Sequence, residues 1–169
     1  MPYCRTHPFM PAAGSLPDSL PRLELLSLAE CPVAELPDAA VLPRLPPGLH
    51  SLNISTTKIA DWTEVDKLRQ FPALYDLRIA HCPFLDEYSA HEKRMLLVAR
   101  LPNVQVLNGG DKIGPVERED AERAFIRHFL DTPEEERPQR FAELVAVHGL
   151  LDPLVNVDLT PEKVRSQHF

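Results

Sequence analysis

The feature that most constrains this chain is an eleven-residue aliphatic motif that returns at near-regular intervals. Leu23, Leu26 and Leu28 precede Cys31 in the first copy, Leu49, Leu52 and Ile54 precede Thr57 in the second, and Leu74, Leu77 and Ile79 precede Cys82 in the third. A fourth copy starts at Val104, keeps Leu107 and then decays, because Gly109 stands where the third inward residue belongs. Successive starts at positions 23, 49, 74 and 104 are 26, 25 and 30 residues apart. Within each copy the second and third apolar residues are two apart, the period of a strand with one buried face. So short a strand cannot bury that face alone, so the copies must stack on one another.

This is the L-x-x-L-x-L-x-x-N/C-x-L pattern of leucine-rich repeats, whose period is 20 to 29 residues. The expected fold class is therefore α/β: a leucine-rich repeat solenoid with short parallel strands, convex-side helices and a C-terminal helical cap. Cys31 and Cys82 fill the Asn/Cys slot, and Thr57 fills it in the second copy, where its hydroxyl can bond a neighbouring backbone group.

Helix-start signals lie between the strands. Asp61 precedes Glu64 by three residues and is followed by Val65 and Leu68 at helical spacing, with Pro72 beyond. Ser89 and Glu92 form a capping-box pattern, and Met95, Leu96, Val98 and Ala99 continue it up to Pro102. Pro115 then opens a longer helix with Glu117, Glu119 and Asp120 early and Arg127 and His128 late, the charge order that suits the helix dipole. Its Phe125, Phe129, Ile126 and Leu130 stripe is expected to lie across the open end of the last repeat. Thr132-Pro133-Glu134-Glu135 reads as another capping box, with a break at Pro138 before Phe141, Leu144, Val145 and His148, and Gly149 as the stop.

The expected organisation is an irregular proline-rich lead-in over residues 1–19, repeats over 20–114, a helical cap over 115–149 and a tail over 150–169 in which Val155, Val157 and Leu159 alternate. Eighteen prolines punctuate the chain. The net charge of -7 gives phosphate backbones no basic stripe to grip, so nucleic acid is not an expected partner. Three cysteines without C-x-x-C spacing argue against a disulfide framework and a tetrahedral zinc site, and fit a reduced, cytoplasmic setting. The sequence carries no apolar run of membrane-spanning length and no signal-peptide pattern, so no membrane partner is expected. Neither a Gly-rich phosphate loop nor a nucleophile elbow is present, so an enzyme is not expected and no cofactor, catalytic or metal residue is assigned.

Leu101 to Asn108, the run Glu117-Arg118-Glu119-Asp120-Ala121-Glu122-Arg123-Ala124-Phe125-Ile126-Arg127, the stretch Phe141 to Asp158, and the helix segment Ile59 to Leu68 together resemble the tubulin-specific chaperone cofactor E-like proteins. The resemblance spans about residues 20–159. It implies a cytosolic, cytoskeleton-associated monomer that acts on tubulin, either α-tubulin or the dimer, and destabilises it. The family's N-terminal repeats and ubiquitin-like domain have no counterpart here, so both ends are expected to be cut short, as in a fragment, a variant transcript or an incomplete gene model.

The expected partner surface is the concave face, formed by the non-core strand positions, with Ser51, Asn53, Asp76, Arg78, His81 and Asn108 as its polar members. No Trp or Tyr is expected on that face. Trp62 is expected to pack on its own repeat array, Cys82 to be a buried structural thiol, and the acidic run from Glu117 to Glu122 to be a salt-bridged face. The alternative function is a generic leucine-rich scaffold that binds phosphatase or splicing subunits.

Overall fold

The computed structural model describes residues 22–36 and 48–150. The proline-rich lead-in and the alternating Val155, Val157 and Leu159 therefore lie outside the described residues.

Four short strands form one parallel sheet in sequence order: β1 (Leu25–Ser27), β2 (Ser51–Asn53), β3 (Asp76–Arg78) and β4 (Val106–Leu107). The register aligns Leu26 with Leu52, Leu52 with Leu77, and Leu77 with Leu107, so the central leucine of every motif stacks on that of the next. Leu52, Leu77 and Leu107 are buried, as are Leu28, Ile54 and Ile79 one step along the motif. Each repeat contributes one such rung, and the rungs share a single apolar interior. This is a mixed α/β architecture with parallel strands, as in leucine-rich repeats.

The slot residues close the rungs. Thr57 Oγ1 donates to the Ile54 carbonyl at 2.9 Å and lies 3.4 Å from Cys82 Sγ in the next repeat. Cys82 is a free, buried thiol, 3.4 Å from the Ile54 oxygen. The thiol thus serves packing and weak hydrogen bonding. Cys31 is disulfide-bonded, which corrects the expectation of reduced thiols at that position. An odd cysteine count leaves one thiol over but does not forbid one pair.

Helix α1 (Trp62–Asp66) starts at Asp61, whose carboxylate accepts from the Thr63 N–H at 3.0 Å, and tightens into a 3₁₀ turn over Lys67–Gln70. Glu64 does not complete a capping box there; its carboxylate takes the Leu36 N–H at 2.6 Å instead and so ties the first repeat to the second. Helix α2 (Ala90–Arg100) has the full capping box of Ser89 and Glu92. Helix α3 (Pro115–His128) packs along α2 and buries Ala121, Phe125 and Ile126, with Phe129 and Leu130 against the same core. Helix α4 (Gln139–His148) packs on α3 through Phe141 and Leu144 and ends at Gly149, whose φ of 77° is one that glycine adopts without strain.

The capping box expected at Thr132 does not form. Pro133 takes the cap position without a side-chain bond, and residues Glu134–Glu136 make a single 3₁₀ turn. Pro138 forces the break that keeps this turn out of α4.

Candidate functional site

The residues that flank the central leucines project from the other face of the sheet. Register places Leu25, Ser51, Asp76 and Val106 in one row and Ser27, Asn53 and Arg78 in the next. Asn108 follows directly after β4. Ser51 Oγ donates to Asp76 Oδ2 at 3.3 Å across the strands, while Asp76 Oδ1 is buried and has no hydrogen-bond partner among the described residues. Asn53 Oδ1 accepts from the Ser55 N–H at 3.1 Å, which fixes the turn after β2.

Asn108 does more than decorate the face. Its φ is 54°, and its Oδ1 accepts from the Ile79 N–H at 2.7 Å, so a side chain replaces the carbonyl that the shortened fourth strand lacks. Asparagine tolerates this left-handed conformation better than most residues. Arg78 is exposed, and its guanidinium reaches across to Gly109, where a Cβ would meet it at 3.8 Å.

His81 is on the rim, beyond the strand. It has a φ of 54° and is exposed in the turn before Cys82, the position held by Glu30 (62°) and Thr56 (57°) in the preceding repeats. Three non-glycine residues in the same left-handed turn show how strictly the repeat geometry is imposed. Asp76, Arg78 and His81 share this side of the molecule, but no hydrogen bond or ion pair joins any two of them among the described residues.

Two large exposed hydrophobic residues border the sheet. Tyr75 is 42% exposed beside Asp76, and Leu25 is 61% exposed at the other end of the sheet. Tyr75 immediately follows an inward leucine and precedes β3, where the strand's alternation has not yet begun, so period-two counting does not assign its direction.

The helical side carries a second polar constellation. Arg100 is 3% exposed and donates through Nη1 to both oxygens of Asp66, at 3.0 and 2.9 Å. Its guanidinium also lies 4.7 Å from the Trp62 ring centroid and 5.3 Å from that of Phe125. Trp62 packs edge-on against Phe84 at 4.8 Å and Tyr88 at 5.8 Å, as expected for a residue of the repeat array. Burial pulls Arg100 below its ordinary pKa and pushes the Asp66 carboxyl up, against the opposing pull of each on the other.

Arg118 donates to the carbonyls of Val98, Leu101 and Val104 and so satisfies the open C-terminal end of α2. Arg140 donates to the Ala99 carbonyl at 2.9 Å and pairs with Glu143 and Glu122, while Glu143 binds Arg69 and Glu122 meets His148 at 2.6 Å. A cleft of about 460 Å³ lies where these elements meet, lined in part by Asp66, Arg69, Gln70, Asn103, Gln139 and Arg140. Asp66, Arg69 and Arg140 are committed to ion pairs within the molecule, while Gln70 Oε1 is buried without a hydrogen-bond partner among the described residues.

The acidic run of α3 is a salt-bridged face: Glu117 pairs with Arg94, Glu119 with Arg123, and Glu122 with Arg140. Among the described residues no group of three or more His, Cys, Asp or Glu is arranged to hold a metal ion, and no helix is long and apolar enough to cross a membrane.

No protein-family model matches the chain. A tubulin-specific chaperone cofactor E-like protein of Rattus norvegicus is 43% identical to it over 143 residues, and that of Homo sapiens 42% over 144 residues, each alignment covering 84% of this chain. The chain is a homologue of the tubulin-specific chaperone cofactor E-like proteins. It spans about a third of their length, 34% in both cases. Among solved structures, a chain of the Drosophila melanogaster SNF/U2A′ complex superposes with a TM-score of 0.54 at 18% identity, covering 76% of this chain and 64% of that one. That likeness concerns the leucine-rich repeat fold alone.

Proposed function

We propose that the chain is a non-enzymatic, cytoplasmic tubulin-binding module that influences tubulin stability, and through it microtubules. Residues 20–114 act as a leucine-rich repeat solenoid, residues 115–149 as the cap that seals its last rung, and the concave face as the docking surface. On that face Arg78 supplies an exposed cationic contact, His81 an exposed polar one at its rim, and Ser51, Asn53, Asp76 and Asn108 the polar floor. The observation that carries this reading is the 43% identity over 143 residues with a protein named for tubulin. An exposed arginine on a hydrogen-bonded sheet face fits it, since binding energy concentrates in aromatic and arginine residues.

The test is retention of purified αβ-tubulin by the immobilised chain. Retention of tubulin is the expected result. Capture of phosphatase or splicing subunits from lysate, with no tubulin retained in the purified assay, would favour the generic scaffold instead.

A further inference from the structure

The Thr132-Pro133 pair, released from the capping role its sequence suggests, lies between two packed helices with Thr132 half-buried and Pro133 exposed. Pro133 is extended, with φ -51° and ψ 143°, and Asp131 and Glu134 to Glu136 are exposed on either side. Thr132 Oγ1 has no hydrogen-bond partner among the described residues. Its backbone is held by turn bonds, among them Thr132 N–H to Phe129 O at 3.2 Å and Arg137 N–H to Glu134 O at 3.3 Å, with no ladder or helix bond across Pro133. A few weak turn bonds are cheap to open, which an enzyme that must draw the chain into an extended shape requires.

One side chain spans the segment. Arg137 donates from Nε to the Thr132 carbonyl at 2.8 Å and from Nη2 to the Leu130 carbonyl at 2.9 Å, and its guanidinium covers the ring of Phe141 at 4.8 Å. Phe141 is the first core residue of α4. Arg137 thus links the end of α3 to the start of α4.

We propose that Thr132 is a phosphoacceptor for a proline-directed protein kinase, and that its phosphate undocks α4 by capturing Arg137. The kinase transfers the γ-phosphoryl group of ATP to Thr132 Oγ1: a new P–O bond forms, the bond to the β-phosphate oxygen breaks, ADP leaves, and the hydroxyl proton passes to the kinase. A phosphothreonine carries close to two negative charges at neutral pH and accepts charge-assisted hydrogen bonds, so it outcompetes neutral carbonyls for the guanidinium. Glu134, Glu135 and Glu136 repel the same phosphate and add to the opening of the turn.

The experiment treats the full chain carrying Thr160→Val, which removes the Thr160-Pro161 pair, with ATP and a purified proline-directed kinase of the cyclin-dependent class. Peptide mapping should find one phosphate, on Thr132, and none after Thr132→Val. Amide hydrogen exchange over residues 139–148 should run at least fivefold faster in the phosphorylated chain, and Arg137→Ala without phosphate should reproduce that acceleration. A folded chain that stays unmodified at Thr132, a phosphorylated chain with unchanged exchange, or an Arg137→Ala chain with unchanged exchange would each overturn the proposal.

Discussion

Arg100 lies over Trp62 with its guanidinium carbon 4.7 Å from the ring centroid, and the same group binds both oxygens of Asp66. Asp66 and Arg100 are 34 residues apart, so one buried cation joins α1 to α2 and, through Phe125, to α3. Replacing Arg100 by alanine leaves the half-buried Asp66 charge without its partner and empties the space between the rings. Loss of one partner of a buried pair costs about 3–5 kcal/mol. Arg100→Lys should also destabilise, because an ammonium cannot stack flat on Trp62 while forking onto a carboxylate. Urea unfolding of both variants checks this: the expected order is wild type, then Lys, then Ala.

Phe125 is the deepest side chain that α3 contributes, 1% exposed and 4.7 Å from the Phe129 ring. If α3 seals the last rung, Phe125→Ala should cost about 3–5 kcal/mol. A melting temperature equal to that of the wild type would mean that the helix contributes little to the core.

The fold of the repeats was legible because each rung is written locally. Leu26, Leu52, Leu77 and Leu107 follow from the motif spacing, and Ser89, Pro115 and Gly149 mark helix ends by side-chain chemistry that acts over three or four residues. What was not legible is what reaches across the array. Nothing local to Arg100 points to Asp66, nothing near Arg140 points to the Ala99 carbonyl, and Glu64 forgoes its own helix end for the Leu36 N–H. On the sheet face, the positions of Ser51, Asp76 and Arg78 were readable from the alternation, whereas Asn108 completing the sheet depends on where β4 stops.

The second repeat offers a finer test of the rung closure. Thr57→Val keeps the shape but removes the donor to the Ile54 carbonyl, and the loss should be about 1 kcal/mol, since Cys82 remains near that oxygen as a weak donor. Chemical denaturation of the single variant reads this directly.

Acid should loosen the helical end. Burial pushes the Glu143 carboxyl up, but hydrogen bonds and charge from Arg69 and Arg140 outweigh it and hold the group below the usual carboxylate range. The hydrogen bond from Arg94 likewise pulls Glu117 down. Groups whose folded pKa is lowered stabilise the fold above the unfolded value, about 4.3 for glutamate, and lose that contribution as pH falls through the unfolded and then the folded pKa. Stability should therefore be level near neutrality and fall below about pH 4.5. Glu143→Gln should flatten part of that fall, which denaturant midpoints measured at several pH values would reveal.

The central proposal is that tubulin docks on the sheet face, on which Arg78 is exposed. The most direct measurement is the Kd of the chain for purified αβ-tubulin, compared between Arg78→Glu on that face and Arg123→Glu on the outer surface of α3. Binding weakened at least tenfold by the first change and left within twofold by the second is the predicted result. Equal affinity for both variants and the wild type would contradict it.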